Sequence, residues 1–308
     1  MSKKIILTGA TGLIGSRLCK LLISRGDKII ILTRDAKKAK ENMRIDAEFI
    51  NWNYIDDLSK EVKFDGINAV IHLAGANLFE HRWNNEYKKI ILDSRTVSTR
   101  ILAQSINNSA KKPLVFISSS AVGYYGDKGN EPITENSPPG NDFLSDVCKQ
   151  WENEAKIVEN TEVRLVNIRT GIVLNSNEGA LKQMLLPFKL FVGGPIGNGK
   201  QWFPWIHIDD ILNIYLSALD NNNITGPLNA ASPNPVLMKE FANNIGKVLK
   251  RPSIFPVPVS VLKLALGEVA DVISSSQRVI PEKLLNYGFK FKFEFLNDAL
   301  ENLLKKKG

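Results

Sequence analysis

The sequence predicts a doubly wound α/β fold, a Rossmann-type parallel sheet with a smaller C-terminal α/β cap. Three observations carry this. Short apolar runs alternate with helical periodicity from the start of the chain. A glycine-rich turn joins the first run to the first helix. After Thr170 the rhythm breaks, and glycine-, proline- and aromatic-rich stretches take over.

Taken in order, residues 4–8 form an apolar run that stops at Gly9. Residues 13–25 place Leu18, Leu21 and Leu22 on one helical face, and Gly26 is positioned to cap that helix. Buried strands are expected at 28–33, 47–52 and 69–73. A long helix follows over 85–106, then a strand at 114–118, a helix over 145–159 and a strand at 163–169. Right-handed crossovers between such strands give a sheet covered by helices on both faces. Further on, 204–208 is an aromatic-apolar run, and Asp209 or Asp210 is placed to cap a helix reaching Leu219. An amphipathic helix begins near Lys239, and 281–304 reads as helix, short strand at 288–293, helix. The expected division is a nucleotide-binding domain over 1–226 and a cap over 227–308, with a contribution from 174–201.

Composition narrows the function. The chain has 308 residues, 44% hydrophobic and 23% charged, which suits a globular protein with a large core. The net charge is +8, but the 40 Lys and Arg are spread along the chain apart from one dense run at 305–307. That spread describes a solvated surface rather than a nucleic-acid footprint. Two distant cysteines and three unpaired histidines give no disulfide framework and no metal-ligand spacing. No stretch has the length of a membrane span, and the apolar run after Lys3 and Lys4 is too short for a secretory signal. The expectation is a cytoplasmic protein with a small-molecule substrate, without metal, membrane or nucleic acid.

The central motif is GATGLIG at 9–15. Between a strand and a helix it has a mechanical reading: Gly9 makes the tight turn, Gly12 admits a pyrophosphate to the backbone, and Gly15 packs helix against strand. Thr11, Leu13 and Ile14 stand at the helix N-terminus, where free N–H groups and the dipole favour phosphate. The second strand ends Leu32-Thr33-Arg34. Thr33 and Arg34 suit a ribose 2′-phosphate, which selects NADP(H); Asp35 beside them keeps NAD(H) open.

With HLAG (72–75) and SSSAVGYYG (118–126), the chain resembles an extended short-chain dehydrogenase/reductase. RWNNEYKKIILDSR (82–95), DFLSDVCKQWE (142–152), RTGIVL (169–174), GGPIGNGKQWFPWIHIDD (193–210), NAASPNPV (229–236) and QRVIPEKLLNYGFKF (277–291) make it more specific. They are similar to the epimerase-like group also known as cell-division-inhibitor homologues. The resemblance implies cofactor contacts from Leu73, Ala74 and Gly75, from Trp52 and Asn53 at the adenine edge, from Ser118, and from Val173 at the nicotinamide end. It also implies a Ser-Tyr-Lys catalytic set, in which Tyr transfers a proton and Lys lowers its pKa and binds the nicotinamide ribose.

Here the sequence departs from the family. Ser120 matches the catalytic serine, but the Tyr-x-x-x-Lys pair is missing. Counting back from Lys149 puts Ser145 at the tyrosine position; aligning on Glu152 puts Leu144 there and Cys148 at the lysine position. Tyr124 or Tyr125 is the candidate substitute proton donor, with Lys149 as its partner. Arg95 stands where many members carry an Asn directed at the active site, and a guanidinium there suits a phosphate, a ribose or an anionic substrate. Trp202, Phe203 and Trp205 either line a substrate pocket below 193–201 or pack, and His207 is read as a strand-end anchor. Two functions remain open: an NADP(H)-dependent oxidoreductase or epimerase acting on a small molecule, and an NADP(H)-sensing regulator linked to cell division.

Overall fold

The computed structural model describes residues 2–58 and 62–305; the lysine run beyond Lys305 lies outside them. The chain opens with β1 (Lys4–Thr8), α1 (Leu13–Ser24), β2 (Lys28–Thr33), α2 (Ala36–Met43), β3 (Glu48–Asn51) and β4 (Ala69–His72). Next come α3 (Asn85–Asn108), β5 (Val115–Ala121), a 3-10 turn over Val122–Tyr125, β6 (Pro132–Ile133), α4 (Phe143–Ala155) and β7 (Arg164–Thr170). The remainder comprises β8 (Ile172–Leu174), α5 (Gly179–Lys189), β9 (Trp202–Phe203), β10 (Trp205–His207), α6 (Ile208–Asp220), β11 (Gly226–Ala230), β12 (Val236–Leu237) and α7 (Met238–Leu249). Last are α8 (Val259–Leu266), α9 (Val269–Ser274), β13 (Arg278–Val279), α10 (Glu282–Asn286) and α11 (Leu296–Leu304).

Seven strands form one parallel sheet in the order β11-β7-β5-β4-β1-β2-β3. The order reverses between β1 and β4, and the crevice at that switch point is where doubly wound folds place ligands. Parallel strands buried on both faces need continuous apolar runs, and KIILT and KIIILT supply them. Separate apolar clusters fill the two faces, one around Leu18, Ile71 and Ile214 and the other around Phe64, Leu102 and Phe116. A third core, with Phe203, Trp205, Phe241 and Leu300, joins β9 and β10 to α7 and α11. Among the described residues no helix is long and apolar enough to cross a membrane.

Several expectations are corrected. α2 was not foreseen, because AKKAKENM buries only Ala39 and has no apolar stripe; Asp35 makes it by accepting the Lys38 N–H at 2.9 Å. Neither Asp209 nor Asp210 caps α6. His207 Nδ1 does so, accepting the Asp209 N–H at 3.0 Å. Residues 288–293 form no strand: the N–H groups of Lys292 and Phe293 go to the buried Asp210 carboxylate instead of a ladder. The boundary expected at 226/227 falls inside β11, the outer strand of the main sheet.

A buried hydrogen-bond chain ties β1 to β4 and α3. The Thr8 hydroxyl donates to His72 Nδ1 (2.7 Å), His72 Nε2–H donates to Ser98 Oγ (3.1 Å), and Ser98 donates to the Ser94 carbonyl (2.7 Å). Those directions require a neutral imidazole protonated on Nε2. Burial enforces neutrality, pushing the His72 pKa down to about 3. An unfolded His72 takes up its proton near its ordinary pKa of 6.5. Its contribution to stability is therefore complete above that pH and is lost as the pH falls from there toward 3. Between pH 6 and 4, His72→Asn is expected to flatten the unfolding free energy by about 1.4 kcal/mol per pH unit relative to the parent, as read by urea titrations. His207, pushed down to about 4 chiefly by burial, keeps its own slope in both proteins.

Candidate cofactor and active site

The glycine loop closes on contact distances that exclude other residues. Gly9 has a φ of 68°, and a Cβ there would lie 2.6 Å from the Leu73 carbonyl carbon; one at Gly15 would lie 2.3 Å from the Gly9 carbonyl oxygen. Gly12 is the N-cap of α1, with no side-chain cap and no acid in the first turn. The first-turn N–H groups at Leu13 and Ile14 thus face the crevice without a protein anion, as a phosphate site requires. Thr8 Oγ1 accepts the Leu73 and Ala74 N–H groups (3.2 and 3.3 Å), fixing the loop after β4 beside the turn. Thr11 is exposed, Leu13, Ile14 and Val173 are partly buried, and Ser118 is wholly buried.

At the end of β2, Thr33 is partly buried and Arg34 is exposed. Asp35 caps α2 through one carboxylate oxygen and is exposed. Trp52 turns into the core, its Nε1 donating to the Asp56 carbonyl at 2.9 Å, so it offers no adenine edge contact. Asn53 organises its own turn, accepting the Ile55 and Asp56 N–H groups at 2.9 Å through Oδ1 and donating to the Asp56 carboxylate.

The catalytic candidates are rearranged. Lys149 is on the outer side of α4, half-exposed and paired with Asp146 at 3.4 Å. Cys148 is buried beside the 3-10 turn. The residues of the Glu152 register, Leu144 and Cys148, both pack against Gly123 of the 3-10 turn, whereas in the other register Ser145 donates to the Gly123 carbonyl and Lys149 points away. Burial, helped by the charge of Glu152, pushes the Cys148 thiol up to about 12. Ser120 is buried and donates to Glu152 Oε1 at 2.7 Å, so its proton is not available to polarise a substrate carbonyl. Tyr125 is also buried: its hydroxyl donates to Asn229 Oδ1 (2.6 Å) and accepts from Arg169 (2.8 Å). Burial raises its pKa well above the ordinary tyrosine value, and it is not the substitute proton donor.

Sequence reading missed the group that organises these residues. Arg169 grips Glu152 with two 2.8 Å hydrogen bonds, and both side chains are over nine-tenths buried (4% and 7% exposed). The same guanidinium donates to Tyr125 and to the Glu135 carbonyl, and lies 3.5 Å above the Tyr124 ring. The Glu135 carboxylate accepts the N–H groups of Asn229 and Lys283. Gln277 donates to the Val122 and Gly126 carbonyls, held there by the parallel pairing of β13 with β6. The available signals were the alignment on Glu152 and the position of Arg169 one strand over from Ser120.

Tyr124 differs from its neighbour. It is partly buried, stacked edge-on against Tyr125, and its hydroxyl makes no hydrogen bond to the described residues. An open cleft of about 480 Å³ begins just beyond this turn, lined by Asp127, Asn130, Lys200, Gln201, Trp202 and Ser276. Trp202 lines it and donates to Asn130 Oδ1, whereas Phe203 and Trp205 pack in the third core. Arg95 packs against the loop after β4, donating to the carbonyls of Ile91 (2.9 Å) and Ala76 (3.0 Å).

A sheet reversing at a glycine turn, with an uncapped helix at the reversal, defines a dinucleotide-binding protein. The chain belongs to the NAD dependent epimerase/dehydratase family, whose model matches residues 5–231; a domain of unknown function, DUF1731, matches 257–303. It is 40% identical over 303 residues to the chloroplastic epimerase family protein SDR39U1 homolog of Arabidopsis thaliana, covering 98% of this chain and 86% of that protein. It is 37% identical over 305 residues to the epimerase family protein YfhF of Bacillus subtilis, covering 97% of each. The crystal structure of human epimerase family protein SDR39U1 with NADPH superposes with a TM-score of 0.89 at 32% identity, covering 98% of this chain and 99% of that one.

Arg169→Met or Glu152→Gln leaves half of a buried pair behind, and each is expected to lower the unfolding free energy by about 3–5 kcal/mol. Combining Arg169→Met with Glu152→Gln is expected to cost less than the sum of the two, which urea titration of the three variants measures.

Proposed function

We propose that the protein binds NADP(H) and uses it in hydride chemistry on a small polar molecule held in the cleft beside Trp202. The observation that carries this is the N-terminus of α1, built to glycine-only tolerances and free of side-chain caps or acids. Arg34, exposed at the end of β2, favours the 2′-phosphorylated cofactor. The human relative crystallised with NADPH supports the same choice.

When bound, the cofactor gives or takes the hydride. Gly9, Gly12 and Gly15, with the N–H groups of Leu13 and Ile14, hold its pyrophosphate, and Thr33 and Arg34 hold the 2′-phosphate. Leu73 and Ala74 form the wall that Thr8 keeps in place. Proton transfer falls to Tyr124, the one tyrosine of the turn whose hydroxyl is not consumed internally. The Arg169 guanidinium, stacked 3.5 Å from the centre of its ring, fixes where that hydroxyl sits.

A second reading, an NADP(H)-responsive binding protein without turnover, draws on Leu144 and the inert Cys148 standing where Tyr and Lys are expected. NADPH is expected to bind at least about ten-fold more tightly than NADH, and Arg34→Ala to erase most of that difference, as followed by nicotinamide fluorescence. In a screen of carbonyl and sugar substrates, Tyr124→Phe is expected to keep NADPH affinity and to lose about 10²–10⁴-fold in NADPH oxidation. Turnover unchanged in Tyr124→Phe removes that residue from the mechanism. Tight binding with no oxidation of any substrate supports the second reading.

A further inference from the structure

Arg95 is a cation without an acid. It is partly buried between the loop after β4 and α4, with its guanidinium 5.3 Å from the Trp151 ring centroid. Its protein partners are two backbone carbonyls, and no carboxylate joins them among the described residues. The ionisable groups close enough to feel its charge are Cys148 and Tyr87, both neutral at physiological pH. Burial without a counter-charge is costly for a guanidinium, so folding alone gives no reason to keep one here.

The seat is nevertheless built for it. A Cβ on Gly75 would come within 3.2 Å of Arg95 Cζ and 3.3 Å of one terminal nitrogen. Gly75 has no positive φ to require glycine; what it does is leave room for the guanidinium. The seat also lies on a particular side of the crevice. With the 2′-phosphate at the end of β2 and the pyrophosphate on α1, the remaining half of a dinucleotide must cross the switch point toward β4 and β5. Gly75 and Ala76 follow β4, and Cys148 and Trp151 belong to the helix after β5.

We propose that Arg95 is the cation that positions the nicotinamide ribose, acting from α3 in a site where α4 offers only a neutral thiol. This rests on the NADP(H) reading and assigns one half of the cofactor to one side chain. Arg95 donates to oxygen lone pairs of the ribose, and the dinucleotide brings the negative charge that the protein leaves out.

Paired titrations test it, using NADPH and 2′,5′-ADP, which carries the adenosine half alone. Arg95→Met is expected to weaken NADPH about ten-fold or more while leaving 2′,5′-ADP within about two-fold. Arg95→Lys is expected to recover part of the loss, and Arg34→Ala to weaken both ligands. The melting temperature of ligand-free Arg95→Met is expected to equal or exceed that of the parent, because the variant removes a partly buried charge that no carboxylate meets among the described residues. Unchanged NADPH affinity in Arg95→Met overturns the proposal. So does equal weakening of both ligands with a lowered melting temperature and no recovery in Arg95→Lys, since that describes a structural brace. A parent protein that does not bind NADPH overturns the cofactor reading itself, and this inference with it.

Discussion

Everything at the crevice depends on how closely the backbone of the first turn approaches the loop after β4. Gly9 and Leu73 come together at a distance that admits no side chain on the first, and Gly15 closes on Gly9 from the other side. Such an approach leaves backbone N–H groups to be satisfied and strands to be held in register. Thr8 does the first by accepting from Leu73 and Ala74, and His72 does the second by linking Thr8 to Ser98 on α3. A dry, neutral imidazole is what lets three elements share one hydrogen-bond chain.

On the neighbouring strands the polar residues expected to react are instead spent on structure. Ser120 and Arg169 face each other across the β5–β7 pairing, and Glu152 reaches from α4 to bind both. Once that carboxylate is buried, each of its lone pairs needs a donor. The site thereby keeps the polar composition of a catalytic set while its protons are committed inside the protein. Tyr124 escapes because its ring, not its hydroxyl, meets Arg169.

The sheet was legible in the sequence because its signals are local and strong. Runs such as KIIILT admit no other reading once a parallel sheet is expected, and GATGLIG locates the crevice by itself. α2 was not legible, since a polar helix held by one Asp cap carries no apolar period. The stretch 288–293 misled through its alternating aromatics, because its backbone partner, Asp210, lies some eighty residues away. The same applies to the site: its glycines are local features, whereas Glu135, Asn229 and Gln277 acquire their roles only when distant segments meet. Trp52 was misplaced by analogy of position, for nothing in the sequence says which way a side chain turns at a strand end.

The pairing of β13 with β6 has a temporal consequence. During synthesis the seven sheet strands are complete once Ala230 has emerged, yet Gln277 and its neighbours are still to be made. Until they arrive, the carbonyls of Val122 and Gly126 lack their donor, and the tyrosine turn has no clamp. The glycine-turn crevice belongs to the early part of the nascent chain, and the tyrosine turn is finished by the late part. A ribosome making this protein thus releases every residue of the crevice before it has made the clamp on the tyrosine turn.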